Sequence, residues 1–278
     1  MALPRVATIQ DISGVGRCSL TAAIPILSTM GFQACPLPTA VLSNQTGFED
    51  YAVVSLTGQL AASVSRWKKQ RMAFEGVCTG FLMNTRQVHL AGEFIDYARS
   101  RGALIVIDPV MGDSGRVYPI FDNSMTMSFA QLIKKADVIT PNLTEACLLA
   151  EVDYPQDKIP HPDFVWELAR SLSEKGPRTV VITGVLGEDE LIHNMAYVAG
   201  QDKQVSASNR KIGGSFSGTG DILSAIVCGG LLRGDDIEEV LNLAGQLFER
   251  AISLSVGEGA DPREGIAFEP FLSLLSGE

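Results

Sequence analysis

The tetrapeptide GTGD at residues 218–221 stands directly before an apolar helical segment, "ILSAIVCGGLL". Each glycine costs about 1 kcal/mol in a helix interior, so two glycines here point to another use. Amides at a helix N-terminus are free, the helix dipole favours negative charge, and glycines let a phosphate come close. A neighbouring aspartate can take a proton from a hydroxyl group. Taken alone, the tetrapeptide favours a plain helix cap, and the alternative that these features support is phosphoryl transfer to an alcohol.

The segment "DVITPNLTEACLLA" holds a second acidic group. Pro141 ends the predicted strand and a helix is expected from Leu143 onward. Asn142 and Glu145 are three residues apart, so both side chains can face the same side of the helix start. Two interpretations remain open, because the pair fits a capping box and Glu145 also suits Mg²⁺, held directly or through water.

A third acidic residue, Asp108, follows the apolar run "LIVI" and precedes Pro109. It is either an ordinary turn aspartate or a second acidic group near a metal and phosphates. The next segment, "GDSGRVYPIFDN", is polar and rich in glycine, which is typical of a surface loop or of a flap over a site.

Elements that would position these residues follow from hydrophobic periodicity. Nearly continuous apolar runs at "RVATIQ", "GVCTGF", "GALIVIDPV", "ADVITPN" and "RTVVITG" predict strands buried on both faces. Helical patterns lie between them, one of them from an expected cap at Thr85 to a stop at Gly102. Such alternation predicts an α/β fold with a mostly parallel sheet and helices on both faces. The segment "ELIHNMAYVAGQDKQVSAS" instead predicts a hairpin at an antiparallel edge.

Ligands of parallel sheets bind beyond the carboxyl ends of the strands, so residues just after each predicted strand are candidates. They are Asp11, Gly80, Phe81, Asp108, Pro141, Asn142 and Gly184.

Composition limits the classes of function. The 278 residues contain no linker-like stretch, so we expect one domain over residues 1–278. A net charge of −10 argues against broad binding of nucleic acid or anionic membranes. Five widely spaced cysteines, no signal peptide and no membrane-length apolar run predict a cytoplasmic protein.

Four blocks in order, "SNQTG", "DPVMGD", "DVITPNLTEA" and "GTGD", together resemble the ribokinase superfamily and, within it, the pyridoxal kinase family of vitamin B6 salvage. The resemblance covers almost the whole chain. It implies a ribokinase-like fold and ATP- and Mg²⁺-dependent phosphorylation of the 5′-hydroxymethyl group of pyridoxal, pyridoxine or pyridoxamine. It also implies a homodimer and suggests use of K⁺.

Site residues carried over from this resemblance fall into three groups. Asp221 matches the catalytic base, and the anion hole for the γ-phosphate matches Gly218, Thr219 and Gly220. Positions near the nucleotide match Asp108, Asp113, Thr140, Asn142, Glu145, Thr183 and Gly184, with Asp108 and Glu145 also near Mg²⁺. Positions near the vitamin are Asp11, Ser13, Thr46, Tyr51, Phe81 and Tyr118.

One departure concerns the first strand, where relatives commonly have Gln-Ser-His and this chain has Gln10-Asp11-Ile12. The carboxylate of Asp11 can accept a hydrogen bond from the ring hydroxyl, pair with a protonated ring nitrogen, or favour pyridoxamine as the substrate. Ser13 can partly replace the serine that relatives have at this strand. Two other functions on this fold stay open, a hydroxymethylpyrimidine kinase and a non-catalytic vitamin or nucleotide sensor.

Overall fold

The computed structural model describes residues 3–155 and 159–277. Its main sheet has nine strands in the order β11-β10-β9-β8-β5-β4-β1-β2-β3, and a separate two-stranded hairpin is formed by β6 and β7. The strands are β1 Arg5–Ser13, β2 Gln33–Leu42, β3 Val53–Ser55, β4 Gly76–Thr79, β5 Leu104–Ile107, β6 Gly112–Asp113, β7 Arg116–Val117, β8 Val138–Ile139, β9 Thr179–Leu186, β10 Leu191–Val198 and β11 Lys203–Arg210.

Helices cover both faces of the sheet. They are α1 Ser19–Thr29, α2 Thr57–Lys69, α3 Thr85–Arg99, α4 Asn123–Leu132, α5 Leu143–Ala150, α6 Pro162–Ser173, α7 Thr219–Arg233 and α8 Ile237–Gly257. Buried side chains of α2 to α6 form a core on one face, and those of α1, α7 and α8 form a core on the other. Successive residues of one strand enter different cores, as Val77 and Cys78 of β4 do. Burial on both faces explains why these strands have unbroken apolar runs.

The ribokinase-like topology predicted from the sequence is confirmed. Six neighbouring strands, from β9 to β2 in the sheet order, pair in parallel, and β10 pairs antiparallel with both β9 and β11. The antiparallel pairing of β3 with β2 at the opposite edge was not predicted. With three residues, β3 is too short to give a periodic signal. No helix within the described ranges is both long and apolar enough to cross a bilayer.

Three local expectations were wrong. Asn84, not Thr85, caps α3, because Asn84 has an extended backbone and its side chain accepts a hydrogen bond from the Gln87 amide. Asp11 lies inside β1 rather than after it, since the strand continues to Ser13 through a bulge between Gln10 and Ile12. Gly184 lies within β9, not beyond its end. A bulge keeps a strand paired past a local irregularity, which apolar periodicity alone does not reveal.

Candidate active site

Three cavities lie side by side at the carboxyl edge of the sheet. The hairpin-side cavity, about 540 Å³, is next to β10 and β11 and is lined by apolar residues such as Ile192, Phe216 and Phe248 together with the basic Arg210 and Lys211. The central cavity, about 510 Å³, follows β5, β8 and β9. The β1-side cavity, about 500 Å³, lies beside β1 and the loop after β2. Neighbouring cavities share lining residues, so the three form one continuous trough.

The GTGD segment lies where these cavities meet. Thr219 and Gly220 line both the hairpin-side and the central cavity, and Gly218 and Asp221 line both the central and the β1-side cavity. This local arrangement follows from the sequence, because helix α7 begins at Thr219 and Gly218 precedes it with a left-handed φ of 80°. The amides of residues 218–221 have no acceptor among the described residues and face the cavities as free donors.

Asp221 does not act as a plain helix cap. Its carboxylate accepts a hydrogen bond from the backbone of Ser19, which is the first residue of α1 and does not belong to α7. Gly80, just past β4, leaves room for it, since a Cβ atom there would lie 3.3 Å from Asp221 Oδ1. Burial raises the pKa of Asp221 to about 7, the Ser19 hydrogen bond opposes this, and the charge of Asp11 adds to it. A carboxylate with a pKa near neutrality is suited to general-base catalysis.

Glu145 forms the capping box that the sequence left open. Asn142 Oδ1 accepts from the Glu145 amide at 3.0 Å, and Glu145 Oε2 accepts from the Asn142 amide at 2.9 Å. The other carboxylate oxygen, Oε1, accepts from the Met111 amide at 2.9 Å, which ties α5 to the segment after β5. Burial raises the pKa of Glu145 to about 8 against these hydrogen bonds. These hydrogen bonds do not use all the lone pairs of the Glu145 carboxylate, so the binding of Mg²⁺ by Glu145 stays a prediction.

Asp108 is buried and faces the same space. A Cβ atom at Gly220 would lie 3.6 Å from Asp108 Oδ2, so this carboxylate stands beside the free amides of α7. Burial, followed by the charges of Glu145 and Asp221, raises its pKa well above the ordinary value. Thr140, another residue of the central cavity, has a buried hydroxyl with no hydrogen-bond partner. Each of these groups is able to bind a ligand or a hydrated cation.

The central cavity has an unusual charge balance for an anion site. Asp108, Asp113, Glu145 and Asp221 line it, and no lysine or arginine does so within the described ranges. In residues 3–155 and 159–277, no three His, Cys, Asp or Glu side chains are arranged to hold a metal ion. An anion can bind here through backbone amides, and the acidic side chains require that it arrive with a cation.

The remaining predicted residues also line these cavities. Asp11, Ser13, Thr46, Tyr51 and Phe81 line the β1-side cavity, and Tyr118 lines both this cavity and the central one. The last group of predicted positions, Thr183 and Gly184, lines the hairpin-side and central cavities. All the site residues implied by the family resemblance therefore line these three cavities, whereas the strand-end candidates Gly80 and Pro141 line none of the three. The individual roles of these residues remain predictions.

Gln45 is a site residue that the sequence reasoning missed, although it is inside the "SNQTG" block. It is 9% exposed, and its Nε2 donates to Arg263 O at 2.8 Å and to Ser217 Oγ at 3.2 Å. Its Oε1 accepts from the Gly47 amide at 2.7 Å. Gln45 thereby joins the loop after β2 to the segment before α7, and its place inside the "SNQTG" block was the available sequence signal.

Solved structures of other proteins are similar to this chain over nearly its whole length. A protein from Bacteroides thetaiotaomicron, assigned as a phosphomethylpyrimidine kinase, is 38% identical, with a TM-score of 0.95 over 100% of this chain and 96% of its own. A second crystal form of that protein, with pyridoxal, gives 39% identity and a TM-score of 0.94, covering 99% and 96%. Pyridoxal kinase from Lactobacillus plantarum is 28% identical, with a TM-score of 0.89 over 99% and 97% of the two chains.

Sequence comparison agrees with these structures. The pyridoxal kinase of Deinococcus radiodurans is 27% identical over 253 residues, which cover 87% of this chain and 84% of the relative. The family model described as phosphomethylpyrimidine kinase matches residues 16–264. The chain therefore belongs to the phosphomethylpyrimidine kinase family, among relatives that include the pyridoxal kinases, and it has their ribokinase-like fold.

Proposed function

We propose that this chain is a pyridoxal kinase, which transfers the γ-phosphoryl group of ATP to the 5′-hydroxyl of a vitamin B6 vitamer and releases ADP. One observation carries the proposal: Gly218 and Asp221 line the boundary between the central and β1-side cavities. A base and a set of free amides at that boundary are what transfer between ligands in the two cavities requires. The pyridoxal kinases among the relatives, and the pyridoxal-containing crystal form, support this choice of acceptor.

The nucleotide is assigned to the hairpin-side and central cavities. The apolar hairpin-side cavity suits a flat nucleobase, and the free amides of residues 218–221 suit the terminal phosphates. Asp108, Glu145 and the Thr140 hydroxyl are oxygen donors of the type that Mg²⁺ prefers, so the residues present fit this ion. Mg²⁺, when bound with ATP, neutralises phosphate charge in a cavity that has no basic side chain of its own.

Chemistry at Asp221 follows from its place between the two ligands. The carboxylate takes the proton of the 5′-hydroxyl as the oxygen attacks the γ-phosphorus in line with the departing ADP oxygen. Amides of Gly218, Thr219 and Gly220 hold the phosphoryl oxygens as charge moves towards the leaving group. Asp113 of the β6–β7 hairpin and the adjacent Tyr118 line both cavities, so this hairpin would act as a flap that reduces the access of water.

A pH dependence of opposite sign is expected for activity and for stability. Only ionised Asp221 accepts a proton, so kcat/KM should rise about tenfold per unit below pH 7 and level off above it. The folded-state pKa is raised above the unfolded value, so the folded protein binds more protons between about pH 4 and 7, and its free energy of unfolding falls as pH rises. Initial rates and ligand-free melting curves from pH 5 to 9 test both; a flat rate profile through pH 7 would contradict the role of Asp221.

Turnover with separate acceptors tests the proposed function. ADP release is measured with pyridoxal, pyridoxine, pyridoxamine and hydroxymethylpyrimidine, each with Mg²⁺-ATP, and at least one vitamer is expected to give the highest kcat/KM. The family description and the name of the Bacteroides thetaiotaomicron relative favour hydroxymethylpyrimidine as the second candidate. Faster turnover of the pyrimidine would replace the proposal, and calorimetric binding of a vitamer without ADP release would favour a sensor.

Finer features belong to the same proposal. We propose that residues 1–278 act as one cytoplasmic kinase domain, that K⁺ supports activity, and that the protein is a homodimer. Free thiols at all five cysteines support a reducing compartment. The exposed apolar side chains of Val53 and Val54 on the edge strand β3 support self-association.

A further inference from the structure

Asp11 is a buried carboxylate in the wall of the β1-side cavity. It is 4% exposed and lies where β1 bulges between Gln10 and Ile12. Its Oδ2 accepts a hydrogen bond from Ser13 Oγ at 2.9 Å, and the Ser19 hydroxyl also bonds to the carboxylate. These neutral donors hold its orientation and do not neutralise its charge.

The charge of Asp11 has no counter-ion in the part of the chain that the structure describes. None of the ion pairs found there includes Asp11, and the lining of the β1-side cavity includes no lysine, arginine or histidine. Asp113 and Asp221 line the same cavity and make it still more negative. By contrast, the half-buried Asp261 is paired with Arg263.

A buried carboxylate without a positive partner destabilises the protein, and a ligand that brings positive charge relieves that cost on binding. Selection by charge also works against neutral competitors, because they leave the carboxylate desolvated and unpaired. The geometry places such a carboxylate in the acceptor cavity, where Asp221, one of the two other acids of the lining, is assigned to proton transfer.

We propose that Asp11 is a specificity-determining residue that selects acceptors with a positively charged nitrogen over neutral ring alcohols of the same size. This inference rests on the proposed function, since it assigns the acceptor to the β1-side cavity. Two sources of the charge are available in vitamin B6: the protonated ring nitrogen, common to the vitamers, and the aminomethyl group of pyridoxamine. Neutral hydroxymethylpyrimidine near pH 8 has neither.

The test compares wild type with Asp11→Asn, which keeps the shape and the Ser13 hydrogen bond and removes the charge. For each, kcat/KM is measured at pH 8 with pyridoxamine, pyridoxine and hydroxymethylpyrimidine. We expect a loss of roughly 10-fold or more for cationic acceptors and a change within about twofold for the pyrimidine, as for a lost charged hydrogen bond. A loss confined to pyridoxamine assigns the charge to its amine, and an equal loss for both vitamers assigns it to the ring nitrogen.

Two controls keep the result interpretable. Asp50→Asn removes a negative charge from the exposed loop after β2, outside the cavity lining, and should change none of the three values by more than about twofold. If Asp11→Asn does not fold, Asp11→Ser is measured instead. An equal loss for all three acceptors, or no loss for either vitamer, would overturn the inference. Failure of the proposed function can be distinguished from failure of this inference, because the wild-type protein itself would then release no ADP with any vitamer.

Discussion

Asp221→Asn is expected to lower kcat by about 10²- to 10⁴-fold, the range for removal of a general base. Asparagine keeps the size of the side chain and loses the ability to accept the proton. Because the carboxylate is desolvated, with a pKa raised to about 7, the same change should raise the melting temperature of the ligand-free protein at pH 8. Steady-state ADP release and a melting curve measure the two effects on one preparation.

The matched control for Asp221→Asn is Glu188→Gln, at an exposed carboxylate between β9 and β10 that lines none of the three cavities. It removes the same charge and should leave kcat within about twofold. Binding of ATP and of the vitamer by calorimetry should persist in Asp221→Asn, since the amides and cavity walls are unchanged. Wild-type turnover in Asp221→Asn would remove this residue from the mechanism and leave the cavities as binding sites only.

Gly218→Ala should damage both catalysis and folding. A Cβ atom at this position would lie 2.1 Å from the carbonyl oxygen of Arg17 and 3.0 Å from Cys18 Cα, and both atoms belong to the backbone. The φ of 80° is also strained for alanine. Left-handed strain and overpacking each cost about 1–3 kcal/mol, so the free energy of unfolding should fall by roughly 2–4 kcal/mol. Displaced amides should lower kcat by about 10²- to 10³-fold.

Gly220→Ala adds the same methyl group two residues later and is the matched control. Its nearest contact would be Asp108 Oδ2 at an ordinary 3.6 Å, and it has a helical backbone in the first turn of α7. We expect its free energy of unfolding to be unchanged or higher by up to about 1 kcal/mol, while the methyl group crowds the phosphate space and lowers activity. Denaturant titration of both variants checks this difference. Equal stability of the two would contradict the close approach of Gly218 to Arg17.

Much of the fold could be predicted because its strands are buried on both faces. Val77 and Cys78 enter opposite cores, so β4 is an unbroken apolar run that stands out from the amphipathic helices around it. The hairpin of β10 and β11 was predicted from its local sequence pattern, although β11 alternates between buried and exposed residues. The strand β3 and the bulge at Asp11 were not, because both depend on pairing with residues distant in sequence.

Glu145 and Asp221 differ in the residue that precedes their helices. Both are acids in the third position of a helix, and residue chemistry alone allows either to cap or to catalyse. Asn142 precedes α5 and completes a capping box, whereas Gly218 precedes α7 and has no side chain with which to do so. That difference is local and can be read from the sequence.

Sequence by itself determined the parallel sheet, the free amides before α7 and the acidic residues at the strand ends, because these depend on periodicity and on helix-terminal chemistry. Tertiary structure alone decided that Ser19 donates to Asp221, that Gln45 joins the loop after β2 to Ser217, and that Asp11 lies buried without a counter-ion. These contacts join segments far apart in the chain or depend on the surroundings that the folded chain provides. They form only when the packing of α1 and α7 against the sheet brings those segments together.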